Sequence, residues 1–227
     1  MVTVISLGGS IVAPDGVDEN FLKDFTALIA ELLAQDDKRR FIFVVGGGSP
    51  ARTWQKAYRA LCAKQEDEQA DWIGIMATRL NAQLIRAIMG EWCSQDVVID
   101  PTQVEPLMGR VLVAAGWKPG FSSDYDAVLL AERFSANAVI NLSNIEKVYT
   151  DDPKKNPQAK PVDAISWADF CAMVGDEWVP GKNLPFDPIA SRYAAKLGLK
   201  VICAAGRDLP NLKKILLNEA FTGTTIS

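Results

Sequence analysis

Short apolar runs alternate with longer segments of helical spacing along the chain. Val2–Leu7 and Arg40–Val45 are apolar and rich in β-branched and aromatic residues, which predicts buried strands. Between them Phe21, Phe25, Leu28 and Leu32 recur at helical spacing and predict a helix over 18–33, with Asp18 placed to cap it. A helix is expected over 51–63, where Pro50 suits a first turn. A polar break at 65–68 precedes a longer helix over 71–89, with Ile73, Ala77, Leu80, Leu84 and Ile88 on one stripe. Further strands are expected at 96–99, 110–115, 136–142 and 200–204, with a last one at 222–226. The remaining helices are expected at 124–134, 167–174, 188–197 and 209–218. Such alternation implies an α/β fold, a mainly parallel sheet covered on both faces. The Gly, Pro and mixed charges of 175–185 predict a mobile loop.

Two strand-to-helix junctions are glycine turns, Gly8-Gly9-Ser10 and Gly46-Gly47-Gly48. A glycine turn lets backbone N–H groups approach an anion, and a helix N-terminus adds favourable partial charge. Two such turns facing each other across a sheet suggest a site holding two phosphorylated molecules, as phosphoryl transfer requires. Arg52, one turn into the following helix, can fold its guanidinium over an anion bound there.

Composition narrows the chemistry. The chain has 227 residues, 48% hydrophobic and 23% charged, which suits one large α/β domain or two small ones. No repeat or linker divides it, so one domain over 1–227 is expected. A net charge of -4 argues against a nucleic-acid surface. Cys62, Cys93, Cys171 and Cys203 form no Cys-x-x-Cys pair, which points to buried thiols in a reducing cytoplasm. No run approaches the roughly 18 apolar residues of a membrane span. Histidine is absent, which excludes Ser-His-Asp hydrolysis, His-ligated metals and histidine bases. The chemistry must rest on Lys, Arg, Asp, backbone dipoles and Mg²⁺.

Other motifs have plainer readings. Gly46-x-Gly48-x-x-Ala51 with Glu66 downstream fits a dinucleotide fingerprint, but the polar segment before Glu66 is no second strand. Gly175…Gly181-Lys182-Asn183 resembles a P-loop, yet its glycines are one residue too far apart and Asn183 replaces the Ser/Thr. Asp71 and Asp124, each at the head of an expected helix, could be capping groups alone. Tyr149 could stack on a base or fill a groove, Asp151-Asp152-Pro153 could be an ordinary turn, and Lys154-Lys155 reads as a solvated face.

Together the motifs resemble the archaeal-type uridylate kinases of the amino-acid-kinase superfamily. The match runs through Gly8-Gly9-Ser10, Gly46-Gly47-Gly48…Arg52, the long-helix segment DWIGIMATRLNA from Asp71, Pro119-Gly120-Phe121-Ser122-Ser123-Asp124, Asn144…VYTDDP, Asp187-Pro188 and Gly223-Thr224-Thr225-Ile226. The resemblance implies a three-layer α/β/α sandwich that transfers the γ-phosphoryl group of MgATP to UMP. It implies that Gly9, Ser10, Gly48 and Arg52 surround the transferring phosphates. Gly47 and Asp71 would hold the acceptor, Asp71 on its ribose. Trp117, Lys118, Pro119, Gly120, Phe121, Ser122 and Ser123 would line the acceptor base. Ser143, Asn144, Tyr149, Asp152 and Pro153 would lie on the ATP side, within a C-terminal part of about 137–227. Asp124 would orient charged groups near the reaction centre. The family resemblance also implies a homohexamer built from dimers, with the stripe on 71–89 as a dimer face, and UTP as an inhibitor spanning both sites.

The sequence departs from the family pattern at several points. Ser6 stands where many superfamily members carry a lysine, so Lys182 is the candidate for the missing positive charge. Trp117 and Lys118 replace small residues, and Glu146-Lys147 replaces Asp-Gly. A kinase for another small phosphorylated acceptor and a non-catalytic nucleotide-binding protein are the competing readings. Isopentenyl phosphate kinases are disfavoured because they rely on a histidine.

Overall fold

The computed structural model describes residues 2–153, 155–175 and 184–227. The loop expected over 175–185, and Lys182 with it, lies almost wholly outside those residues. β1 (Val2–Leu7) leads through the short α1 (Gly9–Val12) to α2 (Glu19–Gln35), capped by the Asp18 carboxylate on the Phe21 amide. β2 (Arg40–Val45) runs into α3 (Gly48–Leu61), and α4 spans Asp67–Met89. β3 (Val111–Ala114), α5 (Ser123–Arg133) and β4 (Ala138–Ser143) come after it. Next are the small strands β5 (Val148–Tyr149), β6 (Pro161–Val162) and β7 (Ala164–Ile165), then α6 (Trp167–Val174) and α7 (Pro188–Leu197). β8 (Lys200–Ala205), α8 (Leu209–Leu216) and β9 (Thr224–Ile226) close the chain.

Seven strands form one sheet in the order β3-β2-β1-β4-β8-β9-β7. All neighbours are parallel except β8 and β9. Side chains alternate between its faces. Ile5, Leu7, Phe41, Phe43 and Val45 point to a core shared with α2, α4 and α8. Val4, Ile42, Val44 and Val201 point to a second core shared with α5, α6 and α7. This is the expected three-layer sandwich. Among the described residues no helix is long and apolar enough to cross a membrane.

Three expectations change. The strand at 96–99 reduces to a single bridge between Val98 and Ala114, because the Asp100 carboxylate takes the Thr102 amide and starts a turn. The long helix begins a turn early, at Asp67, and the 73/77/80/84/88 stripe is divided between core and surface. Ala70, Ile75, Ala77, Asn81, Ala82, Ile85 and Met89 are buried and Leu84 packs against the core, whereas Leu80 is 68% exposed. Of the cysteines, Cys93 and Cys203 are buried but Cys62 and Cys171 only half so.

Register sets the path of the chain as it leaves β1 and β2. Leu7 lies opposite both Val45 and Leu142, so the two glycine turns depart from the sheet at the same level. They meet backbone to backbone. A Cβ on Gly46 would fall 2.4 Å from the Gly9 nitrogen, and one on Gly9 would fall 2.0 Å from the Gly48 nitrogen. Gly48 has φ +64, and its Cβ would strike the Gly9 and Ala13 carbonyls at 2.4 Å. No side chain fits that contact. Gly46→Ala is therefore expected to lower the unfolding free energy by about 3 kcal/mol, read from denaturant melts. Gly16→Ala, with nothing within 4 Å of its Cβ, is the near-neutral control. Equal midpoints for the two variants would show that the turns separate freely.

Candidate functional site

β1 sits between β2 and β4, and the chain builds outward from it in opposite directions. Such a reversal opens a crevice at the carboxyl ends of the strands, where α/β sheets bind ligands. Here the crevice floor is knitted by backbone. Gly8 donates to Leu142 O at 2.9 Å, Gly46 to Leu7 O at 2.9 Å and Gly206 to Ser143 O at 2.7 Å. Buried Asn81 of α4 locks the second turn from behind, its Nδ2 donating to the Gly46 and Gly47 carbonyls at 2.9 and 3.1 Å. Among the described residues the amides of Gly9, Ser10, Gly47 and Gly48 donate to no other group, which leaves them for an anion. The two turns thus form one continuous cradle rather than two separated ones. Arg52 is exposed on the first turns of α3 and donates to Pro14 O at 3.0 Å, which places its guanidinium beside the chain that leaves α1.

Next to this cradle a cavity of ≈ 180 Å³ opens between α3, α4 and the 116–123 loop. Gly46, Gly47, Ala51, Gln55, Asp71, Gly74, Ile75, Thr78, Gly116, Phe121 and Ser123 line it. A wider, more open groove continues outward past Asp71, lined by Asp67, Glu68, Trp72, Lys118, Pro119 and Gly120. Asp71 stands where the two meet. It is in the second turn of α4, not at its cap, and its Oδ2 accepts the Gly120 amide at 3.0 Å. Ser122 caps α5. Trp117 lines neither cavity. Lys118 Nζ lies 3.9 Å from the centre of its ring, and Phe121 packs against it at 5.1 Å.

Asp124 lies at the base of the crevice in the first turn of α5. Its Oδ1 accepts the Ser6 hydroxyl at 3.3 Å and its Oδ2 the Asp187 amide at 3.1 Å. Ser6 of β1 is therefore a hydrogen-bond donor to Asp124. Burial, reinforced by the neighbouring Asp187 charge, pushes the Asp124 carboxyl up to about 7. Asp187 caps α7 through the Ala190 amide, and burial raises its carboxyl as well. Two residues beyond Asp124, fully buried Asp126 accepts the Trp117 amide at 3.2 Å, and burial raises it to about 8.

Ser143 ends β4 and exposed Asn144 comes directly after it. Tyr149 lies in the β5–β6 pair, tied to β9 by Val148 N–H on Thr224 Oγ at 2.8 Å. Asp152 and Pro153 lie on an exposed turn held by the Asp151 carboxylate. These residues thus run from the end of β4 to the separate two-stranded β5–β6 sheet and the turn that follows β5. Lys182 lies outside the described residues. Reading the sequence assigns no site role to Gln55, Gly74, Thr78, Asn81, Gly116 or Asp126. Helical spacing puts Gly74, Thr78 and Asn81 on one face of α4, which is the available signal.

Raised carboxyls set a pH dependence. The folded chain holds protons on Asp124 and Asp126 that the unfolded chain releases near 4, so their stability contribution is present in acid and lost as pH rises through about 7 to 8. Melting temperature is therefore expected to fall between about pH 5 and about pH 9, and Asp126→Asn to flatten that fall. A variant as pH-sensitive as the parent would show that Asp126 ionises as it does in water.

The family model described as the amino acid kinase family matches residues 1–205. A uridylate kinase of Methanospirillum hungatei is 33% identical over 227 residues, covering 99% of this chain and 94% of that protein. One of Thermoplasma volcanium is also 33% identical, covering 98% and 96%. The crystal structure of a uridylate kinase from Archaeoglobus fulgidus matches with a TM-score of 0.84 and 31% identity over the whole of both chains. Sharing its fold and its full length with these enzymes, and most of its length with the family model, the chain belongs to the amino acid kinase family.

Proposed function

We propose that this protein is a uridylate kinase, transferring the γ-phosphoryl group of ATP to UMP to give UDP for pyrimidine nucleotide synthesis. The observation that carries the reading is the glycine cradle opening directly into the Asp71 cavity, within a chain that matches uridylate kinases along its whole length. Phosphoryl transfer asks little covalent chemistry of a protein; it needs in-line placement and compensation of charge on the transferred oxygens. An acceptor phosphate at Gly46–Gly47 would extend its sugar toward Asp71 and its base toward Phe121 and the outer groove. The donor phosphates would lie over Gly9, Ser10 and Gly48, with the adenosine toward Ser143, Asn144, Tyr149, Asp152 and Pro153. The acceptor phosphate is already anionic near neutral pH, so the absence of histidine is no handicap.

Arg52 supplies positive charge over the cradle, and Lys182 is the second cation we assign. Mg²⁺ would arrive with ATP. Among the described residues no group of three or more acidic or thiol side chains could hold a metal. Mg²⁺ commonly keeps several waters and binds through phosphate oxygens with one or two carboxylates; since both Asp124 oxygens accept protein hydrogen bonds, the phosphates would be its main ligands. When bound, it would neutralise charge on the phosphates. A reaction on ATP and UMP suits the cytoplasm.

The assembly is argued from α3 and α4. In α3 only Gly48 is buried, while Trp54 is 68% and Leu61 84% exposed. On α4, Trp72, Met76 and Leu80 recur at one-turn spacing and are exposed. A helix with so little side-chain burial gains little from its own subunit. A second copy covering both helices would form the dimer from which the hexamer is built.

With MgATP and a panel of UMP, CMP, dUMP, GMP and non-nucleotide phosphates, ADP release is expected with UMP. Turnover with another acceptor alone, or with none, would refute the assignment. Arg52→Ala is expected to reduce kcat/KM at least about thirtyfold, roughly 2 kcal/mol, and Lys182→Ala to lower kcat. Unchanged turnover in either removes that residue from the mechanism. The double variant Leu61→Glu with Leu80→Glu is expected to reduce the mass measured by light scattering; an unaltered mass would put the interface elsewhere.

A further inference from the structure

The 116–121 loop is held at successive backbone groups by side chains from two helices. From α4, Thr78 Oγ accepts the Gly116 amide at 2.8 Å, Arg79 Nη2 donates to the Trp117 carbonyl at 3.1 Å, and Asp71 takes the Gly120 amide. From α5, Asp126 takes the Trp117 amide. Asp126 and Arg79 thus grip both polar groups of Trp117's own backbone.

Both gripping residues carry a cost. Among the described residues, three buried side-chain polar atoms lack a partner: Arg39 Nη1, Arg79 Nε and Asp126 Oδ1. Two of the three belong to the pair on Trp117. Buried polar groups left unpaired are destabilising and call for an explanation beyond stability. Trp117 itself does not reach the cavity, but the residue packed against it, Phe121, does.

We propose that Asp126, together with Arg79, is a positioning residue for the acceptor: by fixing the Trp117 backbone it sets Phe121, the aromatic wall of the inner cavity. At its α5 end the loop is already held by Phe121 packing on Tyr125, with ring centres 4.9 Å apart, and Asp126 adds the hold at Trp117, four residues before Phe121. The consequence falls on the acceptor and not on the donor, whose adenosine residues begin at the end of β4.

The inference rests on the acceptor being UMP, so the parent enzyme is assayed first. Failure to phosphorylate UMP would sink that reading, whereas parental turnover with unaffected variants would sink this inference alone. In Asp126→Ala the KM for UMP is expected to rise about tenfold, with the KM for ATP and the saturating kcat within about twofold of the parent. Asp126→Asn keeps an oxygen for the Trp117 amide and should restore the UMP KM. An unchanged UMP KM in the alanine variant, a parallel rise for both nucleotides, or an asparagine variant as impaired as alanine would each overturn the proposal. If Asp126→Ala fails to fold, Arg79→Met, which frees the Trp117 carbonyl, must give the same UMP-selective rise, and an unchanged KM there is equally fatal.

Discussion

The contact between the two glycine turns governs the rest of the molecule. Parallel pairing of β1 with β2 sets Leu7 beside Val45. The chain must then leave both strands at one level, and two backbones can share that space only without side chains. Gly9, Gly46 and Gly48 meet the condition. The result joins two helix beginnings, α1 and α3, into one surface of amides that have no partner among the described residues. Partial positive charge from two segments is thereby concentrated on one spot, which a single turn could not achieve.

Beneath and beside this electropositive floor lie carboxyls at unfavourable depth: Asp124, Asp126 and Asp187. Each is raised first by burial, and neighbouring carboxylates add to the effect at Asp124 and Asp126. Hydrogen bonds from Ser6 and from the Asp187 and Trp117 amides offset part of that cost. Asp124 links β1, α5 and α7, so the floor of the crevice and the beginnings of two helices on the opposite side of the sheet share one group. This placement suits a reaction whose charge is supplied by nucleotides and whose protein groups mainly hold position.

Much of the architecture was legible because strands and helices here are long or strongly patterned. The cap at Asp18, the strands 2–7 and 40–45, and the helices over 167–174 and 188–197 were readable from spacing and from Ser, Asp and Pro at helix starts. The short strands β5, β6 and β7 were not, since two residues carry no period. The inner set of the long helix was not readable: its apolar residues cover more than one face, and only packing against the sheet selects Ala82, Ile85 and Met89 for the core while Ile75 lines the cavity. At the site, glycine turns and Arg52 stood out by residue type. Asn81, Thr78 and Asp126 did not, because a polar residue in a helix looks the same whether it faces water or a backbone amide.

Residue order was enough to settle most of the strands and helices, the glycine junctions and a chemistry without histidine, since each depends on local backbone freedom, side-chain period or composition. Folding in three dimensions had to decide that two turns become one cradle, that Phe121 and not Trp117 lines the cavity, and that Asp124 binds Ser6 instead of capping its helix. Those outcomes depend on strand register and on which buried groups find partners. Such facts link residues far apart in the chain and leave no periodic mark along it.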